Sequence, residues 1–370
     1  MKRLTRSSQP FPVRIVHLGL GAFARAHLAE YTEDAGDWGI VGVAPRRRDV
    51  VDQLDPQHGA YTLITRGETD EFRVIECVSD VLHAPTERDR VLSAIADADI
   101  VTMTVSEKAY TDDSPVIALL RAALALRETP LTVMSLDNLP RNGEVLERLV
   151  GGGGHRFPCS MVDRVVPATT PADREAVARA LDVKDCGAVV AEPFRQWVIE
   201  HFAGPRPNWD ALFVESSAPH EALKLRLLNG THSLLAYAGL ALGAETVADA
   251  WADEDVRAAA DRLATEDLVP TLPDVPGIPV HAYRTALAQR WANPRIAHRL
   301  EQIALDGQQK LPARFGGLDG QWIALTLAAW LQREPEGDVS MFDGALLERV
   351  RDWRERITAD GFRAAPHSQL

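Results

Sequence analysis

The sequence predicts an α/β domain built on a parallel sheet with extra antiparallel strands, followed by a mostly α-helical domain. Short β-rich runs alternate with helical stretches through the first half of the chain, and the first run, Val13 to Leu18, empties directly into Gly19-Leu20-Gly21 and a helical segment. From Glu221 onward the chain turns rich in Ala and Leu and keeps a helical period. A length of 370 residues accommodates two such domains, taken as residues 1–218 and 219–370.

Composition removes several function classes. A formal net charge of −13 argues against general affinity for nucleic acid or an anionic membrane, so neither is expected as a partner. Cys77, Cys159 and Cys186 are widely separated, odd in number and without CxxC spacing. That pattern suits buried thiols in a reducing compartment and excludes a thiolate metal cluster. The basic, polar opening residues lack an apolar targeting core, and no apolar run approaches membrane-spanning length, so a cytoplasmic protein is expected.

Taken in order, Val13 to Leu18 reads as a strand, Ala22 to about Ala35 as a helix, and Ile40 to Ala44 as a second strand at the distance a βαβ unit requires. This is the start of a Rossmann-type sheet. Gly19, Gly21 and Ala24 fit G-x-G-x-x-G/A, whose small residues let backbone approach a pyrophosphate at a helix N-terminus. Phe23 and Arg25 in the same turn are counted as cofactor contacts; the alternative is a glycine turn in another α/β fold. After the second strand, Asp49 stands where an acid holds the ribose of NAD, while Arg46, Arg47 and Arg48 stand where arginines hold the 2′-phosphate of NADP. Runs at Ala60 to Thr65 and Phe72 to Val78 read as antiparallel strands, and Arg88 to Ala96 as a helix. Ile100 to Val105 reads as a buried strand emptying into Ser106 to Tyr110, which puts Thr104 and Val105 at the end where open α/β sheets bind ligands.

A helix over Pro115 to Arg127 leads to a further strand, Leu131 to Ser135. Asn138 lies just past its end, where its amide either donates to a substrate oxygen or closes an Asx turn. Ser160 to Pro167 reads as a strand interrupted by Asp163 and Arg164, a surface ion pair or else a buried orienting carboxylate. Glu192 to Glu200 has strand composition and leads out of the first domain.

Glu221 to Leu240 reads as one helix, apolar almost all round. At about 100° per residue, Glu221, Lys224, Asn229 and His232 fall within an arc of roughly 140°, with Arg226 and Ser233 on an opposite, wetter side. Polar groups on the packed side of a buried helix carry a desolvation cost unless partnered, which marks them as candidate functional groups. The plain alternative is a core helix whose Asn229 and His232 satisfy backbone and whose Lys224 reaches solvent. Removal from water lowers a lysine from its usual value of about 10.4, the direction a general base needs. Further helices are expected over Glu245 to Leu263, Tyr283 to Trp291, Ile296 to Ile303 and Gln321 to Leu331. A loop from Asp306 to Arg314 offers Lys310 and Arg314 to an anionic or polyhydroxylated ligand, or leaves them as solvated cations.

These segments together resemble the mannitol dehydrogenase family, the polyol-specific long-chain dehydrogenases that include mannitol 2-dehydrogenases, arabinitol dehydrogenases, and fructuronate (D-mannonate) and tagaturonate oxidoreductases. The resemblance runs through most of the chain. It is carried by HLGLGAFARAH from His17, TVSEKAY from Thr104, SLDNLPRNG from Ser135, MVDR from Met161, EPFRQWVIE from Glu192, KLRLLNGTH from Lys224 and DGQQKLPAR from Asp306. It implies a metal-independent, NAD(P)-dependent oxidation of a secondary alcohol of a polyol or aldonate to a ketose or keto-uronate. In that reaction Lys224, the Lys of K-x4-N-x2-H, takes the hydroxyl proton. Asn229 and Asn138 would polarise the substrate oxygen, His232 would orient the substrate, and Glu221 and Asp163 would support the proton path. NAD is the cofactor the resemblance implies, with NADP admitted by Arg46, Arg47 and Arg48, and the partner is a small polyol or sugar acid. The chain departs from the family where FHRAH becomes Phe23-Ala24-Arg25-Ala26-His27, EKGY ends Ala109-Tyr110, and SCDN becomes Ser135-Leu136-Asp137-Asn138. Rival readings are a sugar-alcohol-phosphate dehydrogenase of the mannitol 1-phosphate type and a non-catalytic dinucleotide-binding sensor. Oligomeric state and exact substrate stay open.

Overall fold

A computed structural model describes residues 1–364 and divides the chain into two compact units, Met1–Ala218 and Pro219–Leu370. The first unit is organised on a five-stranded sheet of β1 (Val13–Leu18), β2 (Gly39–Ala44), β3 (Val78–His83), β4 (Ile100–Met103) and β5 (Thr132–Ser135). The order is β3-β2-β1-β4-β5 and every pairing is parallel. β2, β4 and β5 are buried at every residue, as expected where helices cover both faces. The chain order reverses between β1 and β4, so the crevice outside their carboxyl ends is the natural ligand position of this topology.

β3 is the strand the sequence pattern missed. Phe72 to Val78 was expected to pair antiparallel, but the antiparallel partners are Tyr61–Arg66 and Asp70–Ile75, and Val78 instead opens a parallel edge strand. Its half-exposed Ser79 and Asp80 remove the continuous apolar run that betrays an inner strand. Val189–Ala191 adds to Tyr61–Arg66 in parallel. A further small sheet places Gln196–Glu200 between Ser160–Asp163 and Leu212–Val214. The strand expected from Glu192 begins only at Gln196, because Pro193 has no N–H and the Glu192 carboxylate is turned to the Val165 N–H at 2.6 Å. The helix expected over Ala22 to Ala35 breaks at His27 (φ −128°, ψ −80°) into Ala22–Ala26 and Leu28–Ala35. Fully buried, His27 packs among Phe23, Tyr31 and Trp197, with ring centroids 5.8, 4.9 and 5.1 Å away. Pro171–Leu181, opened by a capping box of Thr170 and Asp173, and Asn142–Val150 are helices the pattern did not announce.

The second unit is helical and packs around Thr231–Ala241, nine of whose eleven residues are buried. Val247–Ala252, Glu254–Arg262, Leu300–Ala304 and Gln321–Arg333 all lie against it. Gly239 permits the close approach: a Cβ there would sit 2.7 Å from both the Ala250 Cβ and the Leu300 Cδ1. Three expectations change here. The helix from Glu221 is not uniformly α, since Lys224–Gly230 is a π-segment between Ala218–Leu223 and Thr231–Ala241. Ile296 to Ile303 is interrupted by Ala297 (φ 48°), leaving Leu300–Ala304 as the helix. The stretch expected as a loop from Asp306 is the helix Gly307–Phe315, which survives Pro312 because Leu311 and Phe315, one turn apart, are fully buried. Cys77 and Cys159 are buried and Cys186 is half-buried, and none of the three is in a disulfide. Among the described residues, no helix is long and apolar enough to cross a membrane.

Candidate active site

In the first unit a cleft of about 390 Å³ opens at the carboxyl ends of β1, β2 and β4, lined in part by Gly19, Leu20, Gly21, Asp49, Thr104 and Val105. The turn after β1 is shaped for close approach. Gly19 has φ 97°, and a Cβ on it would lie 1.9 Å from the Thr104 carbonyl oxygen, whereas a Cβ on Gly21 would meet only the Gly19 carbonyl, at 3.8 Å. One glycine thus lets two strand ends meet, and the other leaves room for a ligand. Beneath the turn, fully buried His17 places Nε2 3.2 Å from the Gly19 carbonyl and Nδ1 2.8 Å from the Thr104-side neighbour Thr102 Oγ1. A carbonyl only accepts, so Nε2 carries the proton and Nδ1 accepts from the threonine hydroxyl. Burial pushes His17 down to about 4, keeping it neutral in this role. Thr104, which lines the cleft, has its Oγ1 buried without a hydrogen-bond partner.

The expected cofactor residues divide. Gly19, Gly21, Asp49, Thr104 and Val105 line the cleft together with Arg46 and Arg47; Phe23, Ala24 and Arg25 do not. Ala24 is buried in the core, the small residue that packs helix onto sheet. Arg25 turns away to the Gly187 carbonyl and lies over the Tyr61 ring at 5.6 Å, with its Nε also 3.3 Å from the Gly21 carbonyl. Arg47 is ion-paired with Asp49, and Arg48 with Asp52 at 3.0 Å.

The loops after β4 and β5 are joined by a network that sequence reasoning missed. Asp137 Oδ2 accepts from the Val105 N–H at 2.9 Å and from the Tyr110 hydroxyl at 2.6 Å. Ser135 Oγ lies 2.5 Å from the Tyr110 oxygen and accepts from the Asp137 N–H at 3.1 Å. Burial raises the Asp137 carboxyl to about 6, against the pull of the bonds from Tyr110 and Val105, and the Tyr110 hydroxyl is raised by the same burial and by Asp137. Fully buried Asn142 donates to the carbonyls of Ser135, Asp137 and Ser160 and accepts from the Ser160 N–H at 3.0 Å. Asn138 sits exposed on the loop this frame holds. Asp163, at 1 % exposure, and Arg164 are both buried, and Arg164 is ion-paired with Glu30, so the surface-pair reading of these two residues fails.

In the second unit the π-segment decides which polar groups share a face. Five residues along an α-helix turn through about 500°, which would leave Lys224 and Asn229 about 140° apart. In a π-segment the hydrogen-bonded ring closes at i+5, so residues five apart come round to the same side. His232 follows one α-turn later and is buried, with His298 edge-on at 5.5 Å and Trp291 at 5.9 Å. Burial, then the nearby His298, Arg290, Arg314 and Lys224, drive its pKa well below the ordinary value. His298 falls to about 4 through burial and Arg290. Ser233, expected on the wet side, is fully buried: it accepts from Arg314 Nη1 at 2.6 Å and donates to the Asn229 carbonyl at 3.2 Å. Arg226 is half-buried and donates to Thr271. Half-buried Glu221 precedes the π-segment by one turn. Lys310 donates to the Leu305 carbonyl at 2.6 Å, at the end of Leu300–Ala304. Lys224, Arg290 and Arg314 around the neutral His232 ring give this face a positive field.

Comparisons with known proteins agree with this architecture. The mannitol dehydrogenase Rossmann domain matches residues 13–211, and the mannitol dehydrogenase C-terminal domain matches residues 217–317. D-mannonate oxidoreductase of Escherichia coli (strain K12) is 38% identical over 387 residues, covering 86% of this chain and 79% of that protein. Mannitol 2-dehydrogenase of Pyrenophora tritici-repentis (strain Pt-1C-BFP) is 34% identical over 358 residues, covering 80% of this chain and 63% of its own length. The solved structure of Pseudomonas fluorescens mannitol 2-dehydrogenase in ternary complex with NAD and D-mannitol aligns with a TM-score of 0.86 at 27% identity, over 100% of this chain and 96% of that one. The chain belongs to the mannitol dehydrogenase family of oxidoreductases.

Proposed function

We propose that this protein moves a hydride between NAD and a secondary alcohol of a polyol or sugar acid, without a metal and with Lys224 as the general base. The observation that carries the reading is the polar face of the second unit, where a π-segment brings Lys224 and Asn229 to one side and His232 is kept neutral beside three cations. The relatives whose names specify D-mannonate, mannitol and NAD support the substrate class and cofactor. NAD, when bound, supplies the acceptor for the hydride. Gly19, Gly21, Thr104 and Val105, which line the cleft, would hold it there, and Asp49 would take the ribose, with Arg46 and Arg47 lining the same cleft.

Lys224 removes the hydroxyl proton, and Asn229 and Asn138 donate amide hydrogens to the oxygen as its charge grows. Neutral His232 orients the substrate, because one ring nitrogen accepts from a hydroxyl while the other donates. Glu221 and Asp163 support the path of the proton, and Arg314, fixed through Ser233, adds to the positive field. Absorbance at 340 nm with NADH tests the reading against fructose, fructuronate, tagaturonate, xylulose and fructose 6-phosphate. Turnover of a ketose or keto-uronate that persists in a chelator is expected; no turnover on any of them contradicts the reading, and turnover confined to fructose 6-phosphate moves the substrate to a phosphorylated sugar.

A further inference from the structure

We propose that Asp137 is a positioning residue for hydride transfer, tying Val105 on the wall of the cofactor cleft to the loop that presents Asn138. The geometry is a closed ring. The single proton of the Tyr110 hydroxyl is committed to Asp137 Oδ2, 2.6 Å away, so the 2.5 Å contact with Ser135 is made by the serine donating to the tyrosine oxygen. Ser135 Oγ in turn accepts from the Asp137 N–H at 3.1 Å. Asp137 N–H, Ser135, Tyr110 and Asp137 Oδ2 therefore form a cycle in which each hydroxyl proton has one place to go. The same carboxylate oxygen accepts the Val105 N–H, and the Asp137 carbonyl accepts from the Leu139 N–H at 2.8 Å and from Asn142 at 3.1 Å. One residue thereby fixes the backbone on both sides of Asn138 and the backbone of the cleft wall.

The parts lie far apart in the chain, with Tyr110 and Asp137 separated by 27 positions and Val105 and Asp137 by 32. They meet because β4 and β5 are neighbours in the sheet and both loops leave its carboxyl edge. A half-buried carboxylate that accepts a backbone N–H and a hydroxyl at once is a stiff joint, since losing either donor leaves a partly desolvated charge with one fewer partner. Placement matters at this scale, because a displacement of about 1 Å in a group that contacts the reacting atoms costs on the order of 100-fold in rate.

The inference rests on the reading that Asn138 polarises the substrate oxygen and that the cleft takes NAD. The test uses the full chain carrying Asp137→Asn, Asp137→Ala, Tyr110→Phe, Asn138→Ala and the double change Asp137→Asn with Asn138→Ala. It measures NADH dissociation by fluorescence, and kcat and KM on the substrate that the wild type turns over. Asp137→Ala is expected to lower kcat at least 30-fold and weaken NADH three- to tenfold while substrate KM moves less than threefold. Asp137→Asn, which keeps an accepting oxygen, and Tyr110→Phe should fall between it and the wild type. On the Asn138→Ala background, Asp137→Asn should cost less than twofold in kcat, because the group it positions is gone. A full additional loss on that background overturns the positioning role, as does an Asp137→Asn or Tyr110→Phe protein with wild-type kcat and NADH affinity. If the wild type turns over no polyol or sugar acid, the functional reading fails separately, and NADH affinity alone decides: unchanged binding in Asp137→Ala and Tyr110→Phe overturns the joint between Asp137 and the cleft.

Discussion

Gly19 illustrates how one hydrogen atom decides what the cleft can hold. Its Cβ position falls 1.9 Å from the Thr104 carbonyl oxygen at a φ of 97°, so Gly19→Ala must push β1 and β4 apart at their carboxyl ends. We expect that variant to bind NADH at least about tenfold more weakly by fluorescence titration; unchanged affinity would show that the turn tolerates displacement. His17, below the same turn, sets a pH window. Its folded pKa of about 4 lies under the ordinary 6.5, so the neutral form is favoured in the folded protein. The stability it contributes is fully present above pH 6.5 and is lost as pH falls from 6.5 towards 4, at most on the order of 3 kcal/mol. Urea unfolding from pH 7.5 to 4 should therefore show a smaller loss of stability in His17→Leu than in the wild type. At Gly19 and Gly21 the glycine spacing itself marks the turn that lines the cleft, and spacing also singled out Lys224, Asn229 and His232 as candidates. Asp137 and Tyr110 were not legible, because their partnership arises from two loops joined only by strand order.

Elements were legible where burial is uniform and illegible where it is mixed. β2, β4 and β5 are buried throughout and β1 from Ile15 to Leu18, and all four appear within a residue or two of where the sequence puts them, whereas β3 carries half-exposed Ser79 and Asp80 at the sheet edge and was missed beyond Val78. A 3.6-residue period cannot reveal a π-segment, since each added residue shifts every later position. That is why Ser233 was assigned to the wet face and proves fully buried. Gly307–Phe315 was hidden by Pro312 and a polar composition, although its Leu311 and Phe315 reach the core. The helix Thr231–Ala241 depends on close packing at Gly239, where a side chain would collide with Ala250 and Leu300. Gly239→Val should destabilise the protein by about 1–3 kcal/mol in denaturant unfolding, and a neutral result would mean that the neighbouring helices move apart freely.

At the scale of the whole molecule, the proposed reaction draws on both units. Met1–Ala218 contains the cleft, and Pro219–Leu370 contains the face with Lys224, Asn229 and His232. The alternation of strand and helix in the first half and the Ala- and Leu-rich second half made the two fold classes readable, because each imposes its own period. The exact substrate was not readable, since the cations near His232 suit a carboxylate and a polyol oxygen alike. This division makes Lys224 the sharpest point of test: the cofactor should bind where the first unit holds it even when the base in the second unit is gone. The direct measurement is Lys224→Ala, assayed at 340 nm on the accepted substrate and by NADH fluorescence titration in parallel. Loss of turnover by about 100-fold or more, with NADH affinity within threefold of wild type, is the predicted result. Turnover at the wild-type rate would contradict the assignment of Lys224 as the base.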